Sequence, residues 1–214
     1  MTTNKKFLAS GIFAFLFFFL ILLLKSVDVA PIGPEGSCVG LSTLNGAFFS
    51  TFSLGKKWDT LANLLLAAAI ASAVCYALLG LIQLIKTRSL LQVSPGVLLL
   101  GGLYLVTIII YVLFDKFAIN YRPVLEDGML AASFPSSHIM ATITYLGGST
   151  MSVKEMTSSP RLSRLVRVLC NICIVLAVVA RLLSGEHWLT DILGGILASG
   201  AMLFLFSALQ DKIS

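Results

Sequence analysis

Two histidines are all that this 214-residue chain carries, and each stands in a short polar island between apolar stretches. His138 closes the run Phe134-Pro135-Ser136-Ser137-His138. His187 lies in Arg181-Leu182-Leu183-Ser184-Gly185-Glu186-His187-Trp188-Leu189-Thr190-Asp191. A third island, Asp115 to Pro123, adds Lys116 and Arg122. Ionisable groups are expensive to bring near lipid, so their concentration in three islands marks a candidate site. Two imidazoles, one carboxylate and three cations are the groups that hydrolysis of a phosphate ester needs.

His187 and Asp191 are four residues apart and share one face of a helix. A carboxylate on one ring nitrogen fixes the tautomer and frees the other nitrogen to attack. Asp191 would also stabilise the imidazolium of a phosphorylated His187. The competing reading is an interfacial histidine beside Trp188 in an aromatic belt. Pro135-Ser136-Ser137-His138 reads as a helix start, where free amides receive anions. There Ser136 and Ser137 would hold a phosphoryl oxygen, and His138 would act as general acid toward the leaving oxygen. Ordinary capping would explain the serines but leave the histidine without a reason. Lys116, Arg122 and Arg181 would neutralise the non-bridging oxygens, with snorkelling the rival explanation for Lys116. Glu126 and Asp127 belong at the rim. A neutral His187 working with a protonated His138 predicts a bell-shaped pH profile.

The elements that must bring these islands together are helices. Mean hydropathy is +0.97, with 57% hydrophobic and 12% charged residues. A soluble domain carries about 25% charged residues. The composition therefore indicates an all-α, polytopic membrane protein, one domain over residues 1–214. Six apolar stretches are long enough, or nearly so, to span the bilayer: 7–24, 60–84, 96–114, 138–153, 165–183 and 190–209. The fourth is the shortest and is rich in Thr, Ser and Gly, as suits a helix facing a polar cavity. The first, flanked by Lys5 and Lys6, reads as a retained anchor rather than a cleaved leader. With both termini cytoplasmic, nine of the 15 Lys and Arg residues fall on the inner side and six on the outer. All three islands then share the outer face. In the first outer loop, about 26–59, Pro31, Gly33, Pro34 and Gly36 make the start irregular. Leu44, Ala47, Phe48 and Phe52 then recur at helical spacing, which predicts a short amphipathic surface helix or, equally, a plain loop.

No basic stripe suggests nucleic acid as a partner, and no ligand cluster suggests a metal or another cofactor. Cys75, Cys170 and Cys173 lie in apolar runs and Cys38 stands alone. The four form no framework, and Cys170 and Cys173, despite their metal or redox spacing, read as small residues at a helix contact.

Taken together, the three islands resemble the signatures of the type 2 phosphatidic acid phosphatase superfamily, integral-membrane lipid phosphatases. Those signatures are K-x6-R-P, P-S-G-H and S-R-x5-H-x3-D. Here they correspond to Lys116 with Arg122-Pro123, to Pro135-Ser136-Ser137-His138, and to Ala180-Arg181 with His187 and Asp191. The resemblance implies that His187 is the nucleophile, Asp191 its orienting carboxylate and His138 the acid. It implies a phosphate cradle of Lys116, Arg122, Ser136, Ser137 and Arg181. Three positions depart from the pattern. Ser137 replaces Gly, and Ala180 replaces Ser. The first motif is one residue short, which on a continuous helix turns Lys116 by about 100°.

The implied function is metal-independent hydrolysis of a lipid phosphate or pyrophosphate through a phosphohistidine, on the outer face of a bacterial-type cytoplasmic membrane. Undecaprenyl pyrophosphate is the first expected substrate, and phosphatidic acid and phosphatidylglycerol phosphate are the alternatives. Two other classes compete: a non-catalytic lipid-binding or transport relative, and a haem protein with His138 and His187 as axial ligands.

Overall fold

The computed structural model describes residues 1–213, and its regular structure is helical. The helices are α1 (Thr3–Ser26), α2 (Ser42–Phe52), α3 (Lys56–Thr87), α4 (Pro95–Lys116), α5 (Ser137–Met151), α6 (Pro160–Ser184) and α7 (Leu189–Ile213). Five of them, α1, α3, α4, α6 and α7, are long and apolar enough to cross a membrane.

The stretch expected over 138–153 differs from those five. α5 has 15 residues, and at 1.5 Å per residue it reaches only about 22 Å, short of a bilayer core of about 30 Å. Its composition explains its place. Thr142, Thr144, Gly147, Gly148 and Ser149 are buried, so the helix is polar and small where it meets protein, not lipid. α5 packs against α3, α4, α6 and α7 and forms the centre of the bundle.

The bundle has two polar ends. At one, Lys6 pairs with Asp211 at 2.7 Å, Ser94 donates to Glu155 at 2.6 Å, and Gln210 donates to Ser152 at 3.1 Å. At the other, the end of α6 and the starts of α3, α5 and α7 come together, with the loop after α4 folded over them. That second end collects the three islands. Ser136 N–H donates to the Asp191 carbonyl at 2.9 Å and ties the first turn of α5 to that of α7.

Close approach there depends on Gly194. A Cβ at this position would lie 2.3 Å from the Phe134 ring. That ring is 1% exposed and packs on Phe17 and Phe114, so it has nowhere to go. Gly194→Ala should therefore lower stability by about 1–3 kcal/mol, the usual cost of overpacking. Thermal unfolding in detergent checks this, and an unchanged melting temperature would show that Phe134 can yield.

The loop before α3 contains a helix where the apolar spacing suggests one, but its packing differs from the expectation. Leu44, Ala47 and Phe52 face outward. The inward face is built on Asn45 and Phe49. Asn45 is fully buried and donates to the Gly40 carbonyl at 2.8 Å and to Thr190 Oγ1 at 3.0 Å. Its Oδ1 accepts from Thr190 N–H at 3.2 Å. Phe49 packs on Trp188, with ring centroids 5.5 Å apart. The apolar stripe is thus the surface facing away from the protein, and one buried amide fastens α2 to the start of α7. Asp28 caps the start of the same helix, accepting from Ser42 Oγ and Thr43 N–H at 2.8 and 2.7 Å.

Candidate active site

α6 ends at Gly185, whose φ of +76° is the left-handed cap that glycine takes without strain. Ser53 also presses on this residue, and Leu54 N–H donates to the Leu183 carbonyl at 2.8 Å. The tight turn that follows lifts His187 and Trp188 between α6 and α7. Trp188 is buried and its indole N–H donates to the Tyr121 carbonyl at 2.7 Å, linking the His187 island to the one over Asp115 to Pro123. A buried tryptophan does not form an aromatic belt, so the interfacial reading of His187 falls.

His187 and Asp191 are both buried, with Nδ1 and Oδ2 3.6 Å apart. Ser133, which the sequence reading passed over, stands between them. Its hydroxyl donates to Asp191 Oδ2, because a carboxylate only accepts, and its oxygen faces His187 Nδ1 at 3.3 Å. Asp191 Oδ2 also accepts from Trp188 N–H at 2.9 Å, as a carboxylate three residues into a helix does. Both oxygens near Nδ1 are acceptors, so the ring proton belongs on Nδ1. His187 Nε2 is left with its lone pair, buried and without a hydrogen-bond partner in the protein. Burial holds the His187 pKa well below the ordinary imidazole value, and the Arg181 and Arg122 guanidiniums push it further the same way. His187 is therefore neutral at pH 7.

Arg181 is 1% exposed in the last turn of α6. Its Nη1 pairs with Asp59 Oδ1, and its Nη2 donates to His138 Nδ1 at 3.2 Å. His138 Nε2 lies 2.9 Å from Asn63 Oδ1, and Asn63 Nδ2 donates to Asp59 Oδ2 at 3.0 Å. The chain of donors has one consistent solution. Asp59 must accept from the Asn63 amide, so Asn63 turns its oxygen to His138, whose proton sits on Nε2. Both His138 nitrogens are thereby engaged with protein, which removes one axial ligand from the haem reading. Asp59 and Asn63, one turn apart on α3, were also missed. Beside Lys56, Lys57 and Trp58 they look like part of an interfacial anchor.

Arg122 lies in the loop after α4, its Nη1 3.5 Å from Glu126 and 3.7 Å from Glu186. Burial raises the pKa of Glu186 above the usual carboxylate range. Glu126, half-exposed, is at the rim as expected. Ser136 is fully buried but makes no side-chain cap, so capping does not account for it. Ser137 lines the mouth of a groove, with His138 and Arg122. Lys116 is not drawn in. α4 ends at this residue, its side chain is exposed, and its Nζ lies 6.0 Å from the Phe117 ring centroid. Among the described residues no three His, Cys, Asp or Glu side chains cluster as metal ligands do.

Besides Asp191 Oδ1, four buried polar atoms of this set, Arg122 Nε, Arg181 Nε, Ser136 Oγ and His187 Nε2, have no hydrogen-bond partner in the protein. Leaving one buried donor unpaired costs about 1–3 kcal/mol, so four at one end of a bundle indicate groups kept for a ligand. Three of them are donors suited to an anion, and the fourth is a free imidazole lone pair.

A multi-helix bundle with membrane-length helices that gathers a buried His–Asp pair and two guanidiniums at one end has a site suited to an anion beside a neutral imidazole. The chain belongs to the PAP2 superfamily, whose family model matches residues 60–214. Phosphatidylglycerophosphatase B of Bacillus subtilis (strain 168) is 27% identical over 95 residues, 44% of this chain and 46% of that protein. The aligned stretch thus spans about half of that relative's length. The crystal structure described as that of the first transmembrane PAP2 type phosphatidylglycerolphosphate phosphatase from Bacillus subtilis superposes with a TM-score of 0.69. It covers 96% of this chain and 98% of its own at 16% identity, and so it shows a common fold.

Proposed function

We propose that this protein hydrolyses a lipid phosphate through a phosphohistidine on His187, without a metal ion. The observation that carries the reading is the unprotonated, buried His187 Nε2 among unpartnered cationic and hydroxyl donors. In the first step Nε2 attacks phosphorus, the N–P bond forms and the P–O bond to the lipid breaks. His138, protonated at both nitrogens once Arg181 Nη2 turns from its Nδ1 to the phosphoryl oxygens, gives the leaving oxygen its Nε2 proton and becomes neutral. In the second step water attacks, gives a proton back to His138, and the N–P bond breaks to release phosphate. Arg122, Arg181, Ser136 and the Ser137 amide hold the equatorial oxygens, and Asp191 with Ser133 carries the imidazolium. Lys116 would reach the phosphate only by turning inward past the end of α4.

A groove of about 650 Å³ between α3 and α4 runs from His138 and Arg122 down past Leu66, Ile70 and Val74. We place the lipid tail there. α5 would serve as a sixth span, because it joins the site end of the bundle to the end where Ser152 meets Gln210. Six spans would put both termini on one side, and the excess of Lys and Arg there favours the cytoplasm, with the site on the outer face of a bacterial-type cytoplasmic membrane. The outward apolar face of α2 would lie in that membrane's interface.

Phosphatidylglycerol phosphate and undecaprenyl pyrophosphate are the two substrates to separate, and the name of the Bacillus relative favours the first. The test is phosphate release from each lipid by the purified protein in detergent with EDTA, beside His187→Ala. Release that survives EDTA and disappears in the variant supports the reading. Release that EDTA abolishes, or that His187→Ala retains, ends it.

A consequence for pH follows from the lowered pKa of His187. The nucleophile stays neutral at any pH above that value, so in kcat/KM the acid limb should fall below pH 6.5. A limb at or above 6.5 would mean that the environment described here does not govern the reacting imidazole.

A further inference from the structure

The polar pair on α3 has no counterpart in the three motifs, yet it touches two of them. Asp59 and Asn63 stand on the helix face that continues, at spacings of three and four, through Leu66, Ile70, Val74 and Ala77. Those apolar residues line the groove. A lipid whose tail lies in the groove therefore carries its head group past Asn63 and Asp59 on the way to Arg181. His138 adds the decisive distance. Its proton sits on Nε2, so the leaving oxygen must come within hydrogen-bond reach of that nitrogen. Asn63 Oδ1 is already 2.9 Å from it, and the Asp59 carboxylate is one further hydrogen bond away at 3.0 Å. The atoms attached to the leaving oxygen thus lie against an amide and a carboxylate.

We propose that Asp59 and Asn63 form the leaving-group subsite and that it selects a leaving oxygen borne on carbon beside a free hydroxyl over one that belongs to a phosphate. This rests on the lipid-phosphatase reading above and deepens it. The chemistry is direct. An amide that both donates and accepts, beside a carboxylate, matches a hydroxyl next to the scissile bond, as in a glycerol head group. Cleaving a pyrophosphate instead leaves an organic phosphate facing Asp59, and two like charges at this range repel. The ion pair to Arg181 occupies only one carboxylate oxygen and directs the guanidinium, whose Nε remains for the transferred phosphoryl group. Asp59 and Asn63 are thus specificity-determining residues, and the acid and the nucleophile remain those named above.

The test measures kcat/KM for three lipids in mixed micelles: dioleoyl phosphatidylglycerol phosphate, dioleoyl phosphatidic acid and farnesyl pyrophosphate. The wild type should rank them in that order. Asp59→Asn removes the charge at constant size. Any common loss, from Arg181 with a weaker partner, cancels in a ratio of substrates. The pyrophosphate-to-monoester ratio should rise about tenfold in Asp59→Asn, as expected for relief of a close like-charge contact. Asn63→Asp adds a second carboxylate at the same place and should lower that ratio. Asn63→Ala should bring phosphatidylglycerol phosphate down to the rate of phosphatidic acid. A wild type that prefers the pyrophosphate, or an Asp59→Asn ratio that stays at the wild-type value, overturns the subsite while the phosphatase reading stands. Should Asp59→Asn not fold, Asn63→Asp decides: a lowered ratio supports the proposal and an unmoved one overturns it. A wild type that releases phosphate from none of the three overturns the phosphatase reading and the subsite with it.

Discussion

His187→Ala should abolish turnover, with kcat falling by about ten-thousandfold or more, as for loss of a covalent nucleophile. The geometry makes this more than a family expectation. A histidine kept only for packing would use both nitrogens or expose one to water. Here Nδ1 is committed to Ser133 and Asp191, and Nε2 is buried with nothing in the protein to bond. Burial and two guanidiniums keep the ring neutral, so the lone pair is available at neutral pH. His138→Ala offers the internal comparison. With the acid gone but the nucleophile intact, a good leaving group such as p-nitrophenol should still transfer its phosphoryl group. Water attack, which needs His138 as base, should then become slow. His138→Ala enzyme quenched in alkaline detergent should therefore hold base-stable, acid-labile phosphate, and His187→Ala should hold none. Stoichiometric labelling of a His187→Ala variant would place the covalent step elsewhere.

The His–Asp pair was readable in the chain because ionisable residues are rare in so apolar a background. Each one near lipid must have a reason, and the ordering of three islands supplied it. The partners that complete the pair were not readable, for a physical cause. Ser133 and Asn45 are uncharged, so they leave no trace in hydropathy, and their roles come only from burial and direction. Asn45 reaches Thr190 across 145 positions of sequence, and Asn63 reaches His138 across 75. No local pattern encodes such meetings. Asp59 is charged but sits in a first helical turn after two lysines, where an acidic residue complements the helix dipole in any case. The bundle then gives it a second use. Lys116 is the reverse case, a legible motif residue that the backbone leaves outside. α4 ends at Lys116, so the shortened spacing falls in the loop to Arg122, and the side chain is left exposed at the helix end. α5 shows the limit of hydropathy as well. Its low apolarity belongs to a helix sheathed by four others, and the same composition on the periphery would not be tolerated in lipid.

Arg181→Lys should cost about a hundredfold in kcat/KM, and Arg181→Ala about a thousandfold, the range seen on removing a preorganised donor to a transition-state oxygen. The guanidinium serves three directions at once: Asp59 at Nη1, His138 at Nη2, and the buried, unpartnered Nε toward the site. A lysine places one point charge where the planar fork fixed three bonds, so it keeps the attraction for phosphate and loses the aim. The loss should therefore appear mainly in kcat, with KM changing less, because the interaction strengthens as charge moves onto the phosphoryl oxygens. Stability should respond less than for a fully buried ion pair. Asp59 keeps a side-chain exposure of 23%, so water can take over its freed oxygen when Arg181 is truncated. A variant that melts as the wild type does yet has lost its turnover assigns Arg181 to the chemistry. If kcat recovered fully on saturation with lipid, Arg181 would be serving ground-state binding alone. The charge of the phosphate would then have to be met chiefly by Arg122, whose own Nε is buried and equally without a partner in the protein.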